Sequence, residues 1–232
     1  MTKLPMFKMF MKNFILTTLF IVLPMGLFAK ESKEQEFWKW FVKNENVIFN
    51  FEKDQENVFD LISSKLSGFE DNITFEISYV KEGKREFIIS AGGISETFPY
   101  VESLVNSAPQ LKLFSVIAFR PRIEGYEGFK LLYADREFDV SNIWVYSRVE
   151  NGFFDLVIYH PDFNKEESNI FIAGSYLLLD MALGEYDVVK HIRYIDHKKL
   201  PNNPTELGLK PFAELRNIFD DYKKANNLIN QN

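Results

Sequence analysis

The sequence predicts an α+β fold: duplicated β-β-α-β units forming a mostly antiparallel sheet with helices on one face, plus an N-terminal helical lead-in and a C-terminal helix. Three observations carry that prediction. Ile73, Phe75, Ile77 and Tyr79 alternate with Thr74, Glu76 and Ser78, the period of a half-buried strand, whereas other segments repeat at helical spacing. Asn151-Gly152, set between two apolar runs, is the strongest short hairpin signal a chain can carry. The order strand, turn, strand, helix, strand also occurs twice, with the turn glycines Gly83 and Gly152, and then the closing strands, about 70–75 residues apart.

Taken in order, Ser32 followed by Gln35 is a capping box ahead of Phe37, Trp38, Trp40 and Phe41, so a helix starts there. A second helix begins at Asp54, sets Val58, Leu61, Ile62 and Leu66 on one face and stops at Gly68. A strand over 73–79 and another over 86–91 flank a turn containing Gly83. Phe98, Val101, Leu104 and Val105 have helical spacing, ended by Pro109, and 113–119 is apolar on both faces, the mark of a central strand. A short strand over 129–133 bridges the halves. The second unit has strands over 143–149 and 153–159, a helix over 170–183 capped by Asn164 and Glu167 and ended by Gly184, and a strand over 188–195. After a loop at 200–204, Pro211 opens a last helix with Phe212, Leu215, Phe219 and Tyr222 inward. Lys223 and Lys224 sit at its C-terminal end, where the macrodipole favours cations. Residues 226–232 are expected to fray.

The first 29 residues are of a different kind. Lys3, Lys8 and Lys12 precede an apolar run over 14–29, broken by Pro24 and Gly26 and closed by Lys30 and Glu31. A spanning helix needs roughly 20 apolar residues and a signal-peptide core about 7–15, so the segment reads as a secretory signal cut after Ala29. Leu27 is large for its place before the cut, and an uncleaved anchor is the alternative; Met11 opens a tidier signal than Met1. The expectation is therefore a signal peptide at 1–29 and a single domain over 30–232, exported to the periplasm or the exterior, with no stable membrane span after processing.

Composition bounds the chemistry. Of 232 residues, 46% are hydrophobic and 26% charged, which suits neither a disordered chain nor an integral membrane protein. With no cysteine there is no disulfide, thiol nucleophile, thiolate zinc site or lipid-bearing cysteine. The net charge of −6 opposes bulk nucleic-acid binding, which depends on clustered Lys and Arg. The 24 Phe and 10 Tyr can serve a core or a sugar-binding surface.

Four stretches form a recognisable set: FWKWF at 37–41, REFIISAGG at 85–93, AFRPR at 118–122 and LLLDMALGEYDV at 177–188. Together they resemble a family of bacterial proteins described only as a domain of unknown function, the last stretch being the most specific. In layout alone the chain is similar to the regulator of ribonuclease E activity B family, whose cytoplasmic role conflicts with a signal sequence. The resemblance implies a fold and no activity.

Standard catalytic, P-loop, dinucleotide and EF-hand motifs are absent. Asp180 stands in an apolar helix, where a buried carboxyl with a raised pKa can act as a general acid; pairing with an arginine, or a place on the helix's polar edge, is the alternative. Glu185 and Asp187, beside Tyr186, can form an acid/base pair or bind a cation, or simply serve a turn. His191, Arg193 and His197 are spaced to share one face of a strand, but the two histidines would be roughly 20 Å apart, too far for one zinc ion. His160 has no visible partner. Arg120 and Arg122 flank Pro121 at a strand end and can clamp an anion, or neutralise nearby acids. Trp38, Trp40 and Phe41 offer a partner-binding face, or are covered by the C-terminal helix.

Three functions follow, in order: an exported interaction module binding another protein through a sheet edge or the aromatic helix; a small-anion-binding protein using Arg120 and Arg122; a hydrolase using Asp180, Glu185 or Asp187. No cofactor or metal is expected.

Overall fold

Residues 31–70 and 72–228 are described by the computed structural model, and from Ser32 onward they belong to one compact unit. The signal segment expected at 1–29 lies outside the described residues, as do 229–232. The fold is α+β. Its first half runs α1 (Lys33–Phe49), α2 (Gln55–Leu66), β1 (Thr74–Ile77), β2 (Arg85–Ser90), α3 (Phe98–Asn106) and β3 (Phe114–Ala118). A hairpin follows, β4 (Lys130–Tyr133) and β5 (Arg136–Asp139). The second half has β6 (Trp144–Glu150), β7 (Phe153–His160), α4 (Ser168–Leu183), α5 (Glu185–His191), β8 (Ile192–Lys199), β9 (Lys210–Pro211) and α6 (Leu215–Ala225).

Both halves repeat one topology. β1–β2 and β6–β7 are antiparallel hairpins; β2–β3 and β7–β8 are parallel pairs across a helical connection. The two units do not merge into one sheet, however. They build separate sheets, ordered β1-β2-β3 and β8-β7-β6-β9, with β4–β5 apart. The expected central strand, β3, is an edge: its Val116 and Ala118 pack on the first core while Ile117 lies beside Ile88 on the other face. Packing on both sides, rather than two strand neighbours, explains its apolar sequence. β3 ends at Ala118, and the next residue, Phe119, has a φ of 63° and gives its N–H to Ile89 O at 2.8 Å.

The first core is aromatic. The capping box forms as expected, with Ser32 Oγ accepting from Gln35 N at 3.3 Å and Gln35 Oε1 accepting from Ser32 N at 3.2 Å. It points Phe37, Trp38 and Phe41 onto Phe87 and Phe114 of the sheet, and Trp38 Nε1 donates to Leu104 O at 2.8 Å. The aromatic helix is thus covered by its own half, not by the C-terminal helix, and is not a free partner face. Trp40 is half-buried under Lys65. On α2, Val58, Ile62 and Leu66 are buried while Leu61 lies on the solvent side. Truncating a fully buried phenylalanine such as Phe41 costs about 3–5 kcal/mol.

In the second core Val145, Phe154, Leu156 and Ile158 form the inner sheet face under α4 and under Leu215, Phe219 and Tyr222 of α6. Gly174 permits the hairpin's approach to α4: a β-carbon there would lie 2.5 Å from the Phe138 ring. The strand expected over 129–133 does not bridge the halves; it pairs with β5. The strand expected over 188–195 begins only at Ile192, because Glu185–His191 is a helix. Nor do 226–228 fray: Asn226 N donates to Tyr222 O, Leu228 N to Lys223 O, and Leu228 packs on the second core.

Candidate functional site

Arg120, Arg122, Asp180, Glu185 and Asp187 meet where the two halves join, at α5. This short helix has a side for each core: Tyr186 and Val189 pack on the first, Val188 on the second. Gly184 makes the break from α4. Its φ of 85° is open to glycine, and it lies under Arg120 O and the Arg122 backbone.

Glu185 is fully buried. Its Oε1 accepts from Ala91 N at 3.0 Å and Gly93 N at 3.1 Å, and its Oε2 accepts from Arg120 N at 3.0 Å. Glu185 N in turn donates to Arg120 O at 2.9 Å. Ala91 and Arg120 follow the parallel strands β2 and β3, so one carboxylate satisfies the amides left over where both strands end. This is a second-half side chain plugged into first-half backbone. Its oxygens face protein donors, which suits a clasp and leaves little for a substrate.

Asp187 makes the second clasp. It accepts from Arg122 at 3.0 Å and from Lys223 Nζ at 2.8 and 3.0 Å; Arg122 also reaches Asp220 at 2.7 Å and Leu183 O at 2.8 Å. The Lys223 side chain is buried with Asp187. His191 Nε2 lies 3.6 Å from Asp187 Oδ1, and burial lowers its pKa although Asp187 acts the other way.

Asp180 is buried but less well held. Arg120 NH1 approaches its Oδ2 at 3.3 Å, while the same guanidinium gives its Nε to Glu76. Burial, and then the charge of Glu185, push Asp180 up to about 7 against the pull of Arg120. Burial alone would lower the Arg120 pKa, but Glu76 foremost, with Glu185 and Asp180, raises it. Arg120 and Arg122 line one cavity of about 470 Å³, yet each guanidinium is engaged by carboxylates of this chain.

The histidines do not share a strand face. His191 ends α5, Arg193 is displaced at a bulge and binds Asp155 through two hydrogen bonds at 2.9 and 2.6 Å, and His197 lies on β8. His160, without a visible partner in the sequence, contacts Ser175 Oγ through Nε2 at 2.8 Å and stacks on His197 at 6.1 Å. Burial, and then His197, push it down to about 3. Among the described residues, no three His, Asp or Glu side chains are grouped to hold a metal ion.

Sequence reasoning missed Glu76, Asp220, Lys223 and Ser175. Lys223 carried a signal: it follows Phe219 by one helical turn and so falls beside the buried stripe of α6. Compared with known proteins, the chain matches no family model, no curated protein and no solved structure.

Proposed function

We propose that the chain is an exported, non-enzymatic protein-interaction module of the bacterial envelope, and that it binds its partner through the helix-free face of the second sheet. The observation that carries this reading is that face itself. Strand alternation and register put Trp144 and Tyr146 of β6, Phe153, Val157 and Tyr159 of β7, and Tyr194 of β8 on the side opposite the core. Tyr146, Phe153 and Tyr194 are 44, 49 and 56% exposed, and none of the six belongs to the second core. Large, stiff aromatics on a flat surface are the side chains that carry binding energy at protein interfaces. Arg148, Arg193, Glu150 and Asp155 form a linked ionic cluster across the same face, Arg148 and Asp155 lying in the row between Val157 and Phe153.

The readings as an anion-binding protein through Arg120 and Arg122, or as a hydrolase through Glu185 or Asp187, draw less support, because those groups are engaged with one another across the joint. No helix among the described residues is long and apolar enough to cross a membrane. The test is crosslinked affinity purification of the tagged chain from its own cells, beside Tyr146→Ser/Tyr194→Ser. One protein recovered near stoichiometry with the parent and lost with the double variant supports the proposal. Equal recovery by both, or bait alone from the parent, contradicts it.

A further inference from the structure

We propose that the cavity between α4 and the end of the first sheet binds a small organic ammonium with an apolar body, its N–H groups donating to Asp180. The cavity is about 410 Å³, the size of a small-ligand site, and Asp180, Arg120, Tyr133, Tyr176, Leu177 and Val189 line it. Three features select the ligand class. Two carboxyl groups, Glu76 and Asp180, share the single guanidinium of Arg120, and the Glu185 carboxylate lies on the Arg120 backbone N–H, so the added charge that balances the site is positive. Asp180 is 6% exposed, and its one guanidinium contact is long at 3.3 Å, which leaves it acceptor capacity facing the cavity. Tyr133 and Tyr176 are 36 and 42% exposed, giving the wall two aromatic rings, and rings attract cations.

A metal ion is a poorer match, because among the described residues no third carboxylate or imidazole is grouped with such a pair. Leu177, Val189 and Ala173 instead offer apolar wall to an organic body. The pocket takes walls from both halves, so an occupant would brace the joint and raise the melting temperature.

The experiment is thermal unfolding and calorimetric titration of the signal-free chain with phenethylammonium, with phenylacetate as the probe of opposite charge and similar body. Binding of phenethylammonium with a rise in melting temperature, little effect of phenylacetate, and about tenfold or greater weakening in Asp180→Asn are expected. The charged and titratable groups around Asp180 are Glu76 from β1, Glu185 from α5, Arg120 after β3 and Tyr176 on α4. Phenethylammonium should therefore bind the unaltered chain more tightly at about pH 8 than at about pH 5, as Asp180 ionises. That measurement stands whether or not the variant folds. Equal binding of phenylacetate, no binding of phenethylammonium at millimolar concentration, or affinity unchanged with pH would overturn the proposal.

Discussion

Glu185 and Asp180 lie five positions apart, on either side of Gly184, and both are withdrawn from water. Their surroundings differ in kind. Glu185 enters the first half and receives three backbone N–H groups that the ends of β2 and β3 would otherwise leave unmet. Asp180 lines a cavity and receives one long contact from a guanidinium already shared with Glu76. Burial alone therefore does not mark a carboxyl as functional. What separates the two is whether the fold supplies the donors, and only the under-supplied one retains chemistry to offer.

The contrast orders the expected effects. Glu185→Ala should be the most damaging, removing about 4–5 kcal/mol by orphaning three backbone amides, that of Ala91 fully buried, and leaving a cavity where the carboxylate was, measured by urea unfolding. The second effect is pH-dependent and comes from His160. Its folded pKa is about 3 against an ordinary 6.5, so between those values the unfolded chain binds a proton that the folded chain does not. Stability should fall as pH drops from about 6.5 towards about 3, by an amount on the order of 4 kcal/mol, and His160→Gln should flatten that slope.

Asp187→Ala ranks third, at about 3 kcal/mol: it strips Lys223 of its buried partner, while Arg122 keeps Asp220 and Leu183 O. Asp180→Asn comes last because its effect should have the opposite sign. The folded pKa of about 7 lies above the ordinary 3.8, so this group's contribution is fully present below about 3.8 and lost as pH rises through 7. At about pH 8 the variant should be more stable than the parent by an amount on the order of 4 kcal/mol, with no gain near pH 4.

Local chemistry was legible in the sequence and tertiary chemistry was not. The capping box at Ser32, the hairpin at Asn151-Gly152 and the inward face of α6 depend on residues within a few positions of one another, and all three formed. Residues 188–195 read as a strand because Val188, Val189 and Ile192 are β-branched, yet the chain from Glu185 to His191 is helical. Its contacts decide the outcome: Glu185 needs the amide pocket, and Tyr186 and Val188 must face different cores. β5 escaped notice because REFD is short and charged and its turn, Ala134-Asp135, has positive φ without glycine or asparagine. At the joint the residue types were visible and their pairing was not. Arg120 and Asp180 are 60 positions apart, and Arg122 and Asp220 98, so no spacing rule could show that the candidate anion clamp and the candidate acids engage each other.

The most direct measurement is urea unfolding at about pH 8 of two isosteric variants, Glu185→Gln and Asp180→Asn, beside the parent. The amide of the first sets an N–H₂ against at least one backbone donor, so it should lose about 1–3 kcal/mol, whereas the second should lose nothing. Equal losses, or a larger loss from Asp180→Asn, would contradict the division between a carboxylate that holds the fold together and one that the fold leaves in want of a partner.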